Sequence, residues 1–328
     1  MATLTLAEAQ ALVEAALTRC RTSSGNAASV ARALVGAEAD GLEGHGLSRV
    51  PSYAAQAKAG KVDGFAKPAL TWPKPVVAAI DANNGFAFPA IDAAIAALPQ
   101  AAKQSGIAVA SIRRSHHCGA AGHTVERLAE AGLVTLMFAN TPAAIAPWGG
   151  AKGVFGTNPI AFACPLPGRA PIVVDLSVST AARGNILATK QKGEKIPADW
   201  ALDVDGKPTT DPAAALAGTM LPLGGAKGTA LALMVELLAA GLTGANFATE
   251  ASSFLDVKGP PPGTGQLLIA FDPSAFGGGI DRFAVLASAI ESQPGARLPG
   301  SRRLKAREKA ARNGIVISDA LRAEIEAA

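Results

Sequence analysis

Apolar positions at helical spacing open the chain. Leu6, Ala9, Leu12, Val13 and Ala16 fall on one face, so residues 6–19 are predicted helical, and the same pattern recurs over 27–43. The second helix runs into Asp40-Gly41-Leu42-Glu43-Gly44-His45-Gly46-Leu47-Ser48-Arg49, whose glycines interrupt it. His45 and Arg49 stand four residues apart and share a face if the chain resumes helix there. A Pro- and Lys-bearing connector over 67–75 precedes a predicted strand, 76–80, and a turn, 81–85. Helix is then expected at 87–104, strand at 107–112, helix at 122–132 and strand at 134–139, an alternating α/β pattern. Residues 141–165 are rich in Gly and Pro and read as loop, whereas 171–176 reads as a buried strand delivering Asp175 to its carboxyl end. Further on come a helix over 179–190, a turn at Asp205-Gly206-Lys207-Pro208, and a long apolar helix over 229–240. A strand over 266–271 and a charged helical pair after Gly300 complete the chain.

Composition narrows the class. With 328 residues, 49% of them hydrophobic, the chain can bury a full core in more than one lobe. No apolar run reaches the roughly 18 residues of a membrane span, and no export signal is apparent, so a cytoplasmic protein is expected. Cys20, Cys118 and Cys164 are too few and too scattered for a disulfide framework or a zinc site, and neutral buried thiols are the plain reading. The net charge of +4 is modest. The basic residues Arg297 to Arg312 lack interleaved aromatics, which suits a phosphate contact or a solvated helix rather than a nucleic-acid surface.

Chemistry concentrates in two places. Three of the four histidines lie in Arg113-Arg114-Ser115-His116-His117-Cys118-Gly119-Ala120-Ala121-Gly122-His123, at a predicted strand-to-helix junction that presents helix N–H groups to a ligand. Adjacent histidines on a strand point to opposite faces, and no His-x-His, HExxH or carboxylate cluster accompanies them, so no metal site is expected. The fourth, His45, sits between two glycines ahead of Arg49. It suits proton donation with a carboxylate anchor, while a capping histidine and a surface arginine are the plain alternative. No G-x-G-x-x-G joins a strand to a helix, and in Gly224-Gly225-Ala226-Lys227-Gly228 a glycine follows the lysine where a phosphate loop needs Ser or Thr. Lys227 at a helix start remains a phosphate or carboxylate candidate beside a plain cap.

Assembled, these stretches resemble the malate/L-lactate dehydrogenase family, also called sulfolactate dehydrogenase-like, across nearly the whole chain. The resemblance rests on Gly44-His45-Gly46 with Arg49 and Tyr53, Ser115-His116-His117-Cys118-Gly119, and Phe155-Gly156-Thr157-Asn158-Pro159-Ile160-Ala161-Phe162. Val174-Asp175-Leu176-Ser177, Ala182-Arg183-Gly184, Lys227-Gly228 and Leu298-Pro299-Gly300 complete it. It implies an α/β, non-Rossmann nicotinamide-binding fold with a helical layer from the two terminal segments. That layer is expected at 1–70 and 290–328, around an α/β cofactor- and substrate-binding region at 71–289. It further implies a homodimer and hydride transfer between NAD(P)H and a small 2-oxo acid of the malate, lactate or 3-sulfolactate class; the alternative is a cyclic ketimine reductase on the same scaffold. By position His45 is the expected proton donor, and Arg49 with Thr157 holds the substrate carboxylate. The cofactor site is expected from His117, Cys118, Gly119, Ala120, Ala121, Asp175, Leu176, Ser177, Lys227 and Gly228, with Ser301, Arg302 and Arg303 after Pro299.

Two departures bear on the substrate and a third on the cofactor. Family members commonly have Ser where this chain has Gly44, and the ketimine reductases carry Asp where it has Asn185, which favours a hydroxy acid. For 3-sulfolactate, Arg49, Arg113, Arg114 or Arg183 is expected to meet the second anion. Members often place an acidic residue after the late Pro-Gly, whereas here Ser301-Arg302-Arg303 follows, which suits a 2′-phosphate and makes NADP the expected cofactor, with NAD the alternative.

Overall fold

Two capping signals start the first helices. Thr5 and Glu8 form a reciprocal capping box ahead of α1 (Leu6–Arg19), and Ser23 caps α2 (Ser24–Ala39). In the computed structural model, which describes all 328 residues, a short strand β1 (Ala2–Leu4) precedes α1, and α3 (Val50–Ala59) follows α2. Next come β2 (Ala69–Lys74), β3 (Val77–Asp81), α4 (Ala87–Ser105), β4 (Ile107–Ser115), α5 (Ala121–Glu130) and β5 (Val134–Ala139). Then follow β6 (Ile160–Leu166), β7 (Arg169–Leu176), α6 (Arg183–Gln191), β8 (Ala201–Leu202), α7 (Pro212–Ala217) and β9 (Thr219–Met220). The last third comprises α8 (Ala226–Glu236), β10 (Thr264–Phe271), α9 (Asp281–Glu291), α10 (Ser301–Asn313), β11 (Ile315–Ile317) and α11 (Asp319–Ala327).

The central sheet has seven strands in the order β2-β3-β4-β10-β5-β6-β7. Only β3 and β4 run parallel; the other neighbours are antiparallel. Leu268 of β10 and Met137 of β5 join Ile91, Leu98, Val125 and Leu128 of α4 and α5 in one core. Their neighbours Leu267 and Phe138 point the other way and meet Val235 of α8 and Ala239. Coverage on both faces explains why β10 is continuously apolar from Leu267 to Phe271. A separate helical core joins Val13, Leu17, Leu34 and Tyr53 to Ala310, Ile315 and Ile325 from the far end of the chain, tied by β1 pairing with β11. A smaller core, with Ile145, Val178, Ile186 and Met220, lies beyond the sheet. No helix is long and apolar enough to cross a membrane.

Four expectations change. The connector at 67–75 contains β2, an edge strand whose exposed Trp72 and Lys74 hid its pairing. The Gly/Pro-rich stretch closes with β6, and α9 was not anticipated. The stretch ending in Asp175 is the sheet's other edge, so most of β7 is half-buried or exposed rather than buried.

Candidate active site

His45 and Arg49 sit in two single 3-10 turns, Glu43–His45 and Leu47–Arg49, ahead of α3. Gly46 joins the turns, and any Cβ there would overlap the Glu38 carboxylate and crowd its backbone. That close approach lets Glu38 Oε2 accept from Leu47 N–H at 2.7 Å, while burial raises the Glu38 pKa. Arg49 Nε donates to the Gly44 carbonyl at 2.6 Å, closing the loop on the His45 side. His45 is half-buried, and its ring stacks on His117 with centroids 5.5 Å apart and planes 15° from parallel. Burial, then the charge of Arg49, pushes its pKa down to about 4, so the imidazole is neutral at pH 7.

His116 and His117 do not point to opposite faces. β4 ends at Ser115, so the alternation of a strand no longer applies, and both rings pack against Tyr53 and Phe254. His116 Nε2 lies 3.0 Å from Gln56 Oε1, and burial pushes His116 down to about 3. His117 Nδ1 lies 2.5 Å from the Tyr53 hydroxyl, and burial holds His117 well below its ordinary value. Phe254 is fixed because its carbonyl accepts from Ser52 Oγ and Gln56 Nε2. Nearby, the buried Lys61 ammonium donates to the carbonyls of Ser253, Asp256 and Lys258. Cys118 is a neutral thiol, its pKa pushed up to about 12 by burial and by Asp175. No three His, Cys, Asp or Glu side chains converge as metal ligands.

The remaining candidates are held by close contacts of their own. Gly119 has φ +67°, and a Cβ there would press on the Phe88 ring. Ala120 caps α5, Ala121 begins it, and Gly122 N–H donates at 2.7 Å to Asp175 Oδ2, which sits on the helix's positive end. Part of Asp175 is exposed, yet burial of its carboxyl raises its pKa. Beyond Leu176 and Ser177, Val178 N–H donates to the Thr157 carbonyl, and its own carbonyl accepts from Leu223 N–H. Gly228 packs on the Leu223 backbone, where no Cβ would fit, with exposed Lys227 beside it at the start of α8. These contacts tie Thr157, the end of β7 and the start of α8 into one assembly. Ser301 begins α10 directly after Gly300, which lies against the Val173 carbonyl of β7.

Arginine placement differs from the sequence expectation. Arg303 donates to Asp40 at 2.8 Å and to both oxygens of Glu126 at 2.6 and 2.8 Å, so its guanidinium is already committed, whereas Arg302 is exposed. Arg113 and Arg114 are both paired with Asp81, at 3.1 and 2.8 Å, with about half of each side chain exposed. Arg183 donates to the Leu216 carbonyl at 3.0 Å. Tyr53, Gln56, Phe254 and Glu38 carried no predicted role. Only the run Tyr53-Ala54-Ala55-Gln56, placing two polar groups on one helical face, signalled the first two.

The sequence model of the malate/L-lactate dehydrogenase family matches residues 4–326. The (2R)-3-sulfolactate dehydrogenase (NADP(+)) of Chromohalobacter salexigens is 49% identical over 301 residues, covering 92% of this chain and 90% of its own. A Δ1-pyrroline-2-carboxylate reductase of Ancylobacter novellus is 42% identical over 332 residues, covering 99% and 96%. The crystal structure of Δ1-piperideine-2-carboxylate reductase from Pseudomonas syringae superposes with a TM-score of 0.92 at 38% identity, covering 100% of this chain and 99% of that one. Matched in sequence almost end to end, the chain belongs to the malate/L-lactate dehydrogenase family.

Proposed function

We propose that this chain is an NADP-dependent oxidoreductase that interconverts a small 2-hydroxy acid of the 3-sulfolactate class and its 2-oxo acid. The observation that carries this reading is a neutral, half-buried His45 stacked on His117, with the Arg49 guanidinium folded onto the same loop. In the oxidation direction neutral His45 takes the hydroxyl proton. In reduction it returns a proton to the oxygen on which negative charge develops, once the substrate's own anion has offset Arg49. Arg49 and Thr157 hold the carboxylate. When bound, the nicotinamide carries the hydride.

The chain's donors suit a phosphorylated dinucleotide. The N-termini of α5, α8 and α10 offer positive dipole ends, and Lys227 and Arg302 are exposed cations at two of them. The exposed edge of Asp175 offers an acceptor for a hydroxyl, and Ser301 with Arg302 suits a 2′-phosphate, consistent with the NADP(+) in the name of the 49% identical relative. Arg303 supports this site through α10 instead of touching the phosphate.

Cyclic ketimine reduction is the second reading, favoured by the 42% identical pyrroline-2-carboxylate reductase. Gly44 bears on the choice: nothing lies within 4 Å of a Cβ built there, so packing does not demand the glycine that replaces the family's serine. The fold is proposed to be of the non-Rossmann type, with the helical core as a layer distinct from the α/β region. The exposed Leu233, Leu237 and Leu242, on α8 and the turn after it, support a homodimer. NADPH oxidation with sulfopyruvate, oxaloacetate, pyruvate and the two cyclic imines tests the reading. The highest kcat/KM is expected for sulfopyruvate; turnover of the imines alone overturns the hydroxy-acid assignment. A tenfold preference for NADH, about 1.4 kcal/mol, overturns the cofactor assignment.

A further inference from the structure

Tyr53 is fully buried, and its hydroxyl has one hydrogen-bond partner, Nδ1 of His117 at 2.5 Å. Two arrangements fit that distance. If His117 donated, the phenol proton would be stranded in the interior with no acceptor; if the phenol donates, it is satisfied, because no second acceptor is needed. The second arrangement is therefore preferred, and it leaves Nδ1 as a lone pair and Nε2 as N–H. Nε2 of His117 has no protein partner and is not sealed from solvent, in contrast to the orphaned, buried Nδ1 of His116. The N–H thus remains open to a ligand, on the ring against which His45 stacks.

We propose that Tyr53 is a positioning residue that locks His117 as the neutral Nε2–H tautomer. A donor is thereby preset toward an oxygen of the bound reactants, and His45 is left as the one member of the stacked pair that takes up the catalytic proton. Protonating Nδ1 of His117 would force the Tyr53 hydroxyl to turn into an acceptor and lose the acceptor for its own proton. A second imidazolium would also stand against His45 and beside Arg49. The same hydroxyl therefore sets the tautomer and assigns the proton. The role of His45 in this inference rests on the proposed dehydrogenase function; the tautomer does not.

The test is a long-range 1H–15N correlation spectrum of ligand-free, 15N-histidine-labelled protein between pH 5 and 8, with His117→Gln used for assignment. Wild-type His117 is expected to show a protonated Nε2 and a bare Nδ1 throughout. In Tyr53→Phe it is expected to become a mixture of the two neutral tautomers, because burial and the charge of Arg49 still keep the ring unprotonated. The variant should also lose about fivefold to tenfold in kcat, with a smaller change in KM. Protonated Nδ1 in wild-type His117, or a His117 signal unchanged by Tyr53→Phe, overturns the proposal. The wild-type spectrum decides the tautomer even if the variant fails to fold. Absence of any NADPH oxidation would sink the dehydrogenase reading and leave the tautomer result standing.

Discussion

Replacing Asp40 with Asn tests how the C-terminal helix is held on the rest of the molecule. The Asp40 side chain is 0% exposed. It accepts from Arg303 Nη1 at 2.8 Å, Arg307 Nε at 2.7 Å, Arg307 Nη2 at 2.8 Å and His123 Nε2 at 2.7 Å. Glu126, also buried, accepts from the same two arginines. Two guanidiniums and two carboxylates balance; Asp40→Asn leaves one positive charge in excess and turns an N–H group toward donors. Breaking one partner of a buried ion cluster costs about 3–5 kcal/mol, and at roughly 2 °C per kcal/mol for a chain of this size the Tm should fall by about 6–10 °C. Arg322→Ala, which breaks an exposed pair at 2.8 Å between side chains 46% and 50% exposed, is the control and should cost less than about 1 kcal/mol. Because α10 begins with Ser301 and Arg302, loosening it should also weaken NADPH binding, read by nicotinamide fluorescence. The Asp40 pKa is held below its ordinary value, so its stabilisation is present above about pH 4 and lost as pH falls through the folded value. The gap between wild type and variant should therefore stay constant from pH 8 to pH 5. Equal losses for Asp40→Asn and Arg322→Ala would refute the reasoning, as would a gap that closes by pH 6.

Four other outcomes are expected. His45→Ala should abolish turnover and spare cofactor binding, while Arg49→Ala should mainly raise KM for the acid; normal turnover without His45 would move the proton donor elsewhere. Since His45 is neutral down to about pH 4, kcat/KM for hydroxy-acid oxidation should show no loss from that residue until pH approaches 4, and an acid limb near 6.5 would contradict the site's electrostatics. His45 and His116 have folded pKa values below 6.5, so the stability they confer is complete above pH 6.5. It falls by about 1.4 kcal/mol per pH unit for each as the pH drops toward 4, measurable by urea denaturation. Finally, Gly44→Ala should fold normally, whereas Gly46→Ala should cost about 1–3 kcal/mol and disturb the His45 loop; the reverse order would refute the role given to Glu38.

The sequence disclosed elements where one periodicity dominated. Helices α1 and α4 and strand β5 lie within a residue of their predicted limits, because each has a single apolar face or a run broken by only one polar residue. Edge strand β2 was obscured because exposed positions blur the two-residue period, and β7 was found as a strand but taken as buried. Among candidate site residues, His45 was visible as a rare residue between glycines, Arg49 by its spacing from it, and the His117–Ala121 corner by its clustered histidines. Arg303 was visible as a cation but not as a partner of Asp40 and Glu126, which lie 263 and 177 residues away in sequence. Tyr53 could be seen; what its hydroxyl meets depends on a contact 64 residues distant, which no local pattern encodes.

The position of β10 has a consequence for how the chain comes to be folded. β4 and β5 do not pair with each other; β10 lies between them, made well over a hundred residues later. The helical core likewise waits for Ile315 and Ile325. During synthesis, neither core can close on the nascent N-terminal half, whose strand edges and apolar helix faces stay open until the last segments leave the ribosome. Such long-range closure makes folding slow and exposes the partial chain to aggregation and chaperones. It also means that removing the final helix should destabilise the first one, at the opposite end of the sequence.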